Sequence, residues 1–212
     1  MRRAIAGITA AGLLACAPLA AAEAKPPITE VSLTGATAEH IIGAVSSPSE
    51  RCLGDRAIRI GEAGGATPAT AVSDADGHFQ VAVAELPAGA SSLAVTVLRP
   101  PPGPQRACKP DSAGLTVDAG ALTGGVFGET FRGRLTSSLP ECVPDRTVEV
   151  YEVSSEPVFV GFNFTDSAGE WVLVAAGGTY EARSLPVVLG GPEAFTYCRS
   201  LISPSWFFEE PV

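Results

Sequence analysis

Apolar and polar residues alternate over short stretches of this chain, and turn-forming residues separate the stretches. Residues 57–60 (Ala-Ile-Arg-Ile) and 147–150 (Thr-Val-Glu-Val) are two examples. Alternation with a period of two is typical of a strand that buries one face. Gly, Pro, Ser, Thr and Val recur at short intervals, whereas methionine occurs only at Met1. The pattern predicts an all-β protein of the sandwich or barrel type.

The pattern occurs twice, at an offset of 90 residues. Residues 50–60 and 140–150 both contain Cys-x-x-Asp-Arg followed by alternating β-branched residues. Further on, at an offset of 92 that a two-residue loop insertion explains, residues 73–79 and 165–171 share a Ser/Thr-Asp-x-x-Gly turn. The aromatic residue that follows is expected to face inward. The repeat predicts two copies of one unit, over residues 27–119 and 120–212, joined in a region of small residues near 113–125. We interpret each Asp-Arg pair as a local salt bridge or turn cap.

Four cysteines are placed symmetrically in the two units. Cys52 and Cys108 are 56 residues apart, and so are Cys142 and Cys198. Four cysteines allow three pairings, and the equal spacing favours one disulfide inside each unit, Cys52–Cys108 and Cys142–Cys198. No Cys-x-x-Cys pair and no neighbouring histidine is present, so the cysteines do not predict a metal site.

The N-terminal residues have the features of an export signal. Two arginines precede an apolar stretch, and Ala20-Ala21-Ala22 offers a cleavage site before Glu23, which predicts a signal peptide over residues 1–22. Leu13-Leu14-Ala15-Cys16 also resembles a lipobox, so lipidation of Cys16 is an alternative. Either route predicts a secreted, extracellular or cell-envelope protein, bound to a membrane only if Cys16 is lipidated.

Charge and residue chemistry exclude several function classes. The formal net charge of −9 disfavours nucleic acid as a partner. His40 and His78 are the only histidines, and we expect neither to act as a catalytic base. The segment Asp74-Ala75-Asp76-Gly77 resembles part of a calcium loop but lacks its further carboxylates. We therefore predict no catalytic residues, no metal and no cofactor.

The densest aromatic group lies at residues 206–208, Trp-Phe-Phe. Strand alternation sends Trp206 and Phe208 to one face and Phe207 to the other. One interpretation is a last strand that closes the second unit. The other is that Trp206 and Phe208 contact a ligand. The stretch 100–104, Pro-Pro-Pro-Gly-Pro, is interpreted as a stiff loop that matches Gly190-Gly191-Pro192 in the second unit.

The turn motif, followed in the first unit by Leu86-Pro87-Ala88-Gly89 and another strand, resembles carboxypeptidase regulatory-like domains. The second unit departs from it, because Gly177-Gly178-Thr179-Tyr180 has no preceding Leu-Pro. The resemblance implies two tandem antiparallel β-sandwiches, seven-stranded and of transthyretin-like or Ig-like type, that serve as structural or binding appendages. We expect a non-enzymatic binding or structural module, with an unknown extracellular protein or a cell-envelope glycan as partner. The alternatives are a secreted enzyme or its accessory domain, and a surface lipoprotein anchored through Cys16.

Overall fold

The computed structural model describes residues 27–62, 65, 67–100, 108–174 and 177–208. The predicted signal peptide, Cys16 and most of the proline-rich stretch lie outside these residues. The described residues form β-strands and a few short 3₁₀ turns, which confirms the all-β prediction. None of the described residues belongs to a helix with the length and apolarity needed to span a bilayer.

Seven strands build the first sandwich. One sheet has the order β1-β2-β5 and the other contains β4-β3-β6-β7, with all neighbours antiparallel. The strand bounds are β1 (Glu30–Ala36), β2 (His40–Ser46), β3 (Ala57–Gly61), β4 (Ala69–Val72), β5 (His78–Ala82), β6 (Ser92–Val97) and β7 (Asp111–Val117).

The second sandwich repeats this arrangement. Its sheets have the orders β8-β9-β12 and β11-β10-β13-β16. The short strand β16 pairs with the end of β13, and the short strand β17 pairs with its beginning. Together β16 and β17 take the place of β7, with Ser203, Pro204 and Ser205 between them. The strand bounds are β8 (Ala121–Phe127), β9 (Thr130–Thr136), β10 (Thr147–Glu152), β11 (Val158–Phe164), β12 (Glu170–Val174), β13 (Gly178–Ser184), β16 (Leu201–Ile202) and β17 (Trp206–Phe208).

Side-chain alternation fills the two cores as the sequence predicts. Ile58 and Ile60 of β3 are buried, and so are the equivalent Val148 and Val150 of β10. The aromatic residue after each Asp-x-x-Gly turn also faces inward, because Phe79 and Trp171 are each 3% exposed. Burial of these apolar side chains is the main stabilising term for a sandwich of this size.

Two further strands cross from the second repeat to the first. The hairpin of β14 (Val187–Gly191) and β15 (Ala194–Cys198) adds to the first sandwich, where β15 runs parallel to β7. This gives a six-stranded sheet of order β14-β15-β7-β6-β3-β4. The interpretation of Gly190-Gly191-Pro192 as a stiff loop is wrong, because both glycines belong to β14. The equivalent stretch at 101–107 lies outside the described residues.

The connection between the repeats is short and polar contacts brace it. Residues 118–120 alone separate β7 from β8, so the small-residue region around them consists of strands rather than a linker. The buried Asp118 donates its backbone N–H to the Tyr197 carbonyl oxygen at 2.9 Å and accepts the Ser137 hydroxyl at 2.5 Å. The predicted boundary between residues 119 and 120 falls inside this connection.

Each repeat contains the disulfide that the spacing favours. Cys52 bonds Cys108 with Cα atoms 5.6 Å apart, and Cys142 bonds Cys198 with Cα atoms 5.4 Å apart. In the second repeat the bond joins the 3₁₀ turn Pro140–Cys142 to the end of β15. The crossing hairpin is thus covalently held to its own repeat while it pairs with the other.

A buried arginine lies beside each disulfide. Arg56 is 0% exposed and donates to the carbonyl oxygens of Cys52 at 3.1 Å, Leu98 at 2.9 Å and Lys109 at 3.0 Å. Arg146 donates to the equivalent carbonyls, those of Cys142, Leu185 and Arg199. The salt-bridge interpretation of the Asp-Arg pairs is therefore wrong. The arginine ties together the backbone around the disulfide, and Asp55 and Asp145 supply turn residues with φ of 56° and 55°.

Candidate functional site: a groove on the second sandwich

The outer face of the sheet β8-β9-β12 carries an unusual set of side chains. Alternation along β9 sends Phe131 and Leu135 into the core, so Arg132 and Arg134 project outward. The strand register then places Gly125 and Val172 on either side of Arg132. The same register places Thr123 and Glu170 on either side of Arg134.

These side chains line an open groove of about 790 Å³. The strand β11 forms one of its walls, where the Asn163 side-chain amide donates to the Val172 carbonyl oxygen at 2.6 Å. A groove of this volume is in the usual range for small-molecule and saccharide-sized ligands. Its lining residues are Thr123, Gly124, Gly125, Phe127, Arg132, Gly133, Arg134, Asn163, Phe164, Asp166, Glu170, Trp171 and Val172.

The two arginines are positioned by their Nε atoms. Arg132 Nε donates to Thr130 Oγ1 at 3.1 Å, and Arg134 Nε donates to the Ala168 carbonyl oxygen at 3.1 Å. In the described part of the chain, neither guanidinium forms a salt bridge. The terminal nitrogens of both side chains are therefore left for solvent or a ligand, and a guanidinium suits a planar carboxylate that binds through two hydrogen bonds.

The two acids of the groove have different roles. Asp166 Oδ1 accepts the backbone N–H groups of Ala168 at 2.8 Å and Glu170 at 2.9 Å, which caps the hairpin turn. Asp74 does the same in the first repeat, so this role belongs to the scaffold. Glu170 is exposed and faces Arg134 across the strands, where its charge offsets part of that of the arginine.

Aromatic side chains lie at the rim of the groove and beneath the strands that form its floor. Phe127 is 65% exposed and Phe164 is 53% exposed, so each offers a ring to a bound molecule. The Trp171 indole lies beneath Gly133, where a Cβ atom would approach Trp171 Cζ2 to 2.4 Å and the Thr123 carbonyl oxygen to 2.0 Å. Only glycine fits at position 133, and it leaves room for the indole against the sheet.

The first repeat has the same scaffold without these groups. The residues at the positions of Arg132 and Arg134 are Ile42 and Ala44, as the strand register shows. The position of Val172 is taken by Gln80. Because the same fold forms without the two arginines, they are not needed to build the sandwich. The presence of two arginines in only one repeat can be seen when the two repeat sequences are aligned. Overall composition and sequence motifs do not reveal it.

The aromatic residues named from the sequence fall on the closing strand. The Trp206 indole packs over Gly124 and lies 6.0 Å from the Phe131 ring and 6.3 Å from the Trp171 ring, measured between centroids. Phe208 also packs against the second core, whereas Phe207 is 68% exposed. Trp206 and Phe208 thus close the second sandwich, and their contact with a ligand stays a prediction.

The exposed Asp74, Asp76 and His78 form the one cluster of metal-ligating side chains in the described residues. Asp74 Oδ1 accepts the backbone N–H groups of Asp76 at 3.0 Å and His78 at 2.8 Å. These bonds are those of the hairpin turn, and the second repeat forms the same turn with Ala168 and Glu170 in the other two places. The cluster is thus explained by the turn.

Comparison with known proteins assigns no family. No protein-family model matches the chain, and no curated protein matches it. Among solved structures, it is similar to a tetra-tandem repeat from the extending region of a large adhesion protein (17% identity, TM-score 0.29, 86% of this chain and 49% of that one). It is also similar to the BSP domain of a biofilm-associated protein (13% identity, TM-score 0.26, 84% of this chain and 29% of that one).

A third similar structure is a "putative carbohydrate binding protein" from Bacteroides uniformis, at 11% identity and a TM-score of 0.24. That match covers 84% of this chain and 98% of the other. The chain therefore spans half or less of the length of the first two proteins and nearly all of the third.

Proposed function

We propose that this chain is a non-enzymatic extracellular or cell-envelope binding module. The second sandwich binds a glycan in the groove on β8-β9-β12. The first sandwich supports the second and holds the groove in a defined orientation. The observation that carries this proposal is the difference between the repeats. Two copies of one scaffold differ on the same outer face. The second carries Arg132 and Arg134 in a groove, and the first carries Ile42 and Ala44 at the same positions.

Rigidity supports a binding role. The groove lies on paired strands rather than on loops, and the crossing hairpin pairs the second repeat with the first sheet. Side chains that are held by strands and by Nε hydrogen bonds lose little entropy when a ligand binds. The module is therefore preorganised, and the first sandwich holds the groove in a defined orientation.

A catalytic role is less well supported by the same groove. Glycoside hydrolysis usually needs two carboxyl groups on opposite sides of the bond that is cleaved. Asp166 is committed to its turn through two backbone N–H groups, which leaves Glu170 as the single available acid of the groove. We therefore assign the groove to binding.

The proposed location rests on the disulfides and the N-terminus. Disulfides form and persist mainly outside the reducing cytosol, and this chain has two. Together with the predicted signal peptide they support export. Lipidation at Cys16 would tether the same module to a membrane, and the intact mass of the protein from its own cells distinguishes the two forms.

The test measures binding of purified chain, starting at residue 23, to a panel of neutral and acidic polysaccharides by titration calorimetry. Gly125→Tyr fills the groove beside Arg132, where a new Cβ atom would lie 3.7 Å from the Phe127 ring. Gly35→Tyr is the matched control, because Gly35 holds the equivalent place beside Ile42 and has open space around it.

We expect saturable binding that Gly125→Tyr abolishes and Gly35→Tyr leaves unchanged. The absence of saturable binding to every polysaccharide in the panel would contradict the proposed function. Equal loss of binding in both variants would place the site elsewhere.

A further inference from the structure

We propose that the groove selects an acidic saccharide, a chain of uronic acid residues, with Arg132 as the main carboxylate anchor and Arg134 as the second. This inference rests on the proposed function and narrows its ligand class. It depends on three features of the described residues: the spacing of the two guanidinium groups, the charge around each, and the exposed rings at the rim.

The spacing suits successive charged units of an extended chain. Arg132 and Arg134 lie two residues apart on one face of β9, which separates their side chains by about 7 Å along the strand. Each Nε is already bonded, to Thr130 Oγ1 and to the Ala168 carbonyl oxygen. These bonds hold both side chains in place through Nε, and the terminal nitrogens stay available to carboxylate groups.

The surroundings make Arg132 the stronger anchor. Its neighbours across the sheet are Gly125 and Val172, which carry no charge and leave an open, apolar floor. Arg134 instead faces Glu170, which offsets part of its charge. The charge of Arg132 is thus not offset by a paired acid, so we expect the carboxylate to contribute most at Arg132.

The rim favours a sugar over a compact anion. Phe127 and Phe164 are both more than half exposed, and both line the groove. The apolar C–H face of a pyranose ring packs on an aromatic face, as other apolar groups do. A saccharide therefore uses both the arginines and the exposed rings, whereas a compact anion uses only the arginines.

The test uses polygalacturonate and its methyl ester, which keeps the sugar rings and the linkage but removes the carboxylate charge. Calorimetry in 0.15 M salt gives the dissociation constant for each. Because the ester loses the charge-assisted hydrogen bonds to the arginines, we expect it to bind about tenfold or more weakly. Dextran sulfate is the comparison for charge without a carboxylate, and we expect it to bind more weakly than polygalacturonate.

Three variants assign the contact. We expect Arg132→Gln to weaken polygalacturonate binding by about tenfold or more, and Arg134→Gln to weaken it less. Arg132→Lys keeps the charge but loses the planar pair of donors, so its affinity falls between those of Arg132→Gln and the parent. Arg51→Gln is the matched control, since it removes one exposed arginine from the first repeat and changes the net charge equally.

The outcomes separate this inference from the proposed function. If the methyl ester or dextran sulfate binds as tightly as polygalacturonate, the carboxylate selectivity is overturned while a glycan-binding function stands. If Arg132→Gln and Arg51→Gln lose affinity equally, the assigned anchor is wrong. If none of the polysaccharides binds, the proposed function itself fails.

Discussion

Phe195 of the second repeat lies beside Leu115 of the first as its register partner in the parallel pair β15-β7. Both side chains are buried in the core of the first sandwich, and Tyr197 joins them from the same strand. The first sandwich is therefore completed by a hairpin that comes from the other half of the chain. The two repeats share hydrogen bonds and a core, and we expect them to unfold in a coupled way.

We expect Phe195→Ala to destabilise the first sandwich although residue 195 belongs to the second repeat. Removal of a buried phenylalanine ring leaves a cavity and costs about 3–5 kcal/mol. Phe207→Ala is the control, because Phe207 is 68% exposed and its loss should change the free energy of unfolding by about 0.5 kcal/mol or less. Urea denaturation measures both, and equal effects would contradict the shared core.

We expect alkaline pH to weaken the hairpin contact through Tyr197. Burial raises the pKa of the Tyr197 phenol, and the nearby Arg199 and Arg146 only partly oppose this. The folded state therefore favours the protonated phenol. The contribution of the protonated phenol to the free energy of unfolding is fully present below the ordinary tyrosine pKa of about 10. It is lost as the pH rises through the higher pKa of the folded state.

The measurement compares the parent chain and Tyr197→Phe from pH 8 to pH 11 by thermal unfolding. We expect Tyr197→Phe to lose less stability than the parent above about pH 10. Hydrogen bonding to Glu149 also raises the pKa of Tyr151, whose ring packs beside Phe159 and Arg183. Tyr151→Phe is thus the control for tyrosine ionisation elsewhere, and an identical profile for the two variants would exclude a special role of Tyr197.

We expect Arg146→Met to destabilise the second repeat by about 3 kcal/mol or more. The substitution leaves three backbone carbonyl oxygens beside the disulfide without their donor. Burial lowers the pKa of Arg146, which shows the cost of placing this cation in the interior, while Asp118 offsets part of that cost. Exposed Arg51→Met should have little effect, and comparable stability of both variants in urea would contradict the proposed bracing role.

We expect loss of the second disulfide to cost more than loss of the first. Both bonds close loops of equal length, with a separation of 56 residues, so the chain-entropy contribution of each is about 4 kcal/mol. Replacing Cys142 and Cys198 by Ser also releases the base of the crossing hairpin. The difference in unfolding free energy from the Cys52→Ser, Cys108→Ser variant then measures the hairpin contact, and a difference of zero would show that the hairpin stays in place without its bond.

Much of each sandwich could be predicted from local pattern. Alternation marked the inward positions of β3 and β10, and the turn motif placed Phe79 and Trp171 inside. The equal spacing of the cysteines favoured the pairing that the structure shows. Each of these patterns occurs once in each repeat. The second occurrence therefore supports the prediction made from the first.

The candidate site was harder to predict because it depends on register. Arg132 and Arg134 are ordinary polar residues of an alternating strand, and their significance comes from the uncharged Gly125 and Val172 that pairing places beside Arg132. The burial of Arg56 and Arg146 was missed for a similar reason. A buried guanidinium needs carbonyl oxygens from distant segments, and sequence order does not show where these converge.

The sequence alone determined the number of units, their strand pattern and the cysteine pairs, since each depends on residues close in the chain or on the repeat. Only the tertiary structure decided that β14 and β15 leave their own repeat and pair with β7. An open strand edge accepts any strand with free backbone groups, and the backbone is the same in every strand. Side-chain pattern therefore specifies that a strand forms, while packing of the whole chain decides which edge it joins.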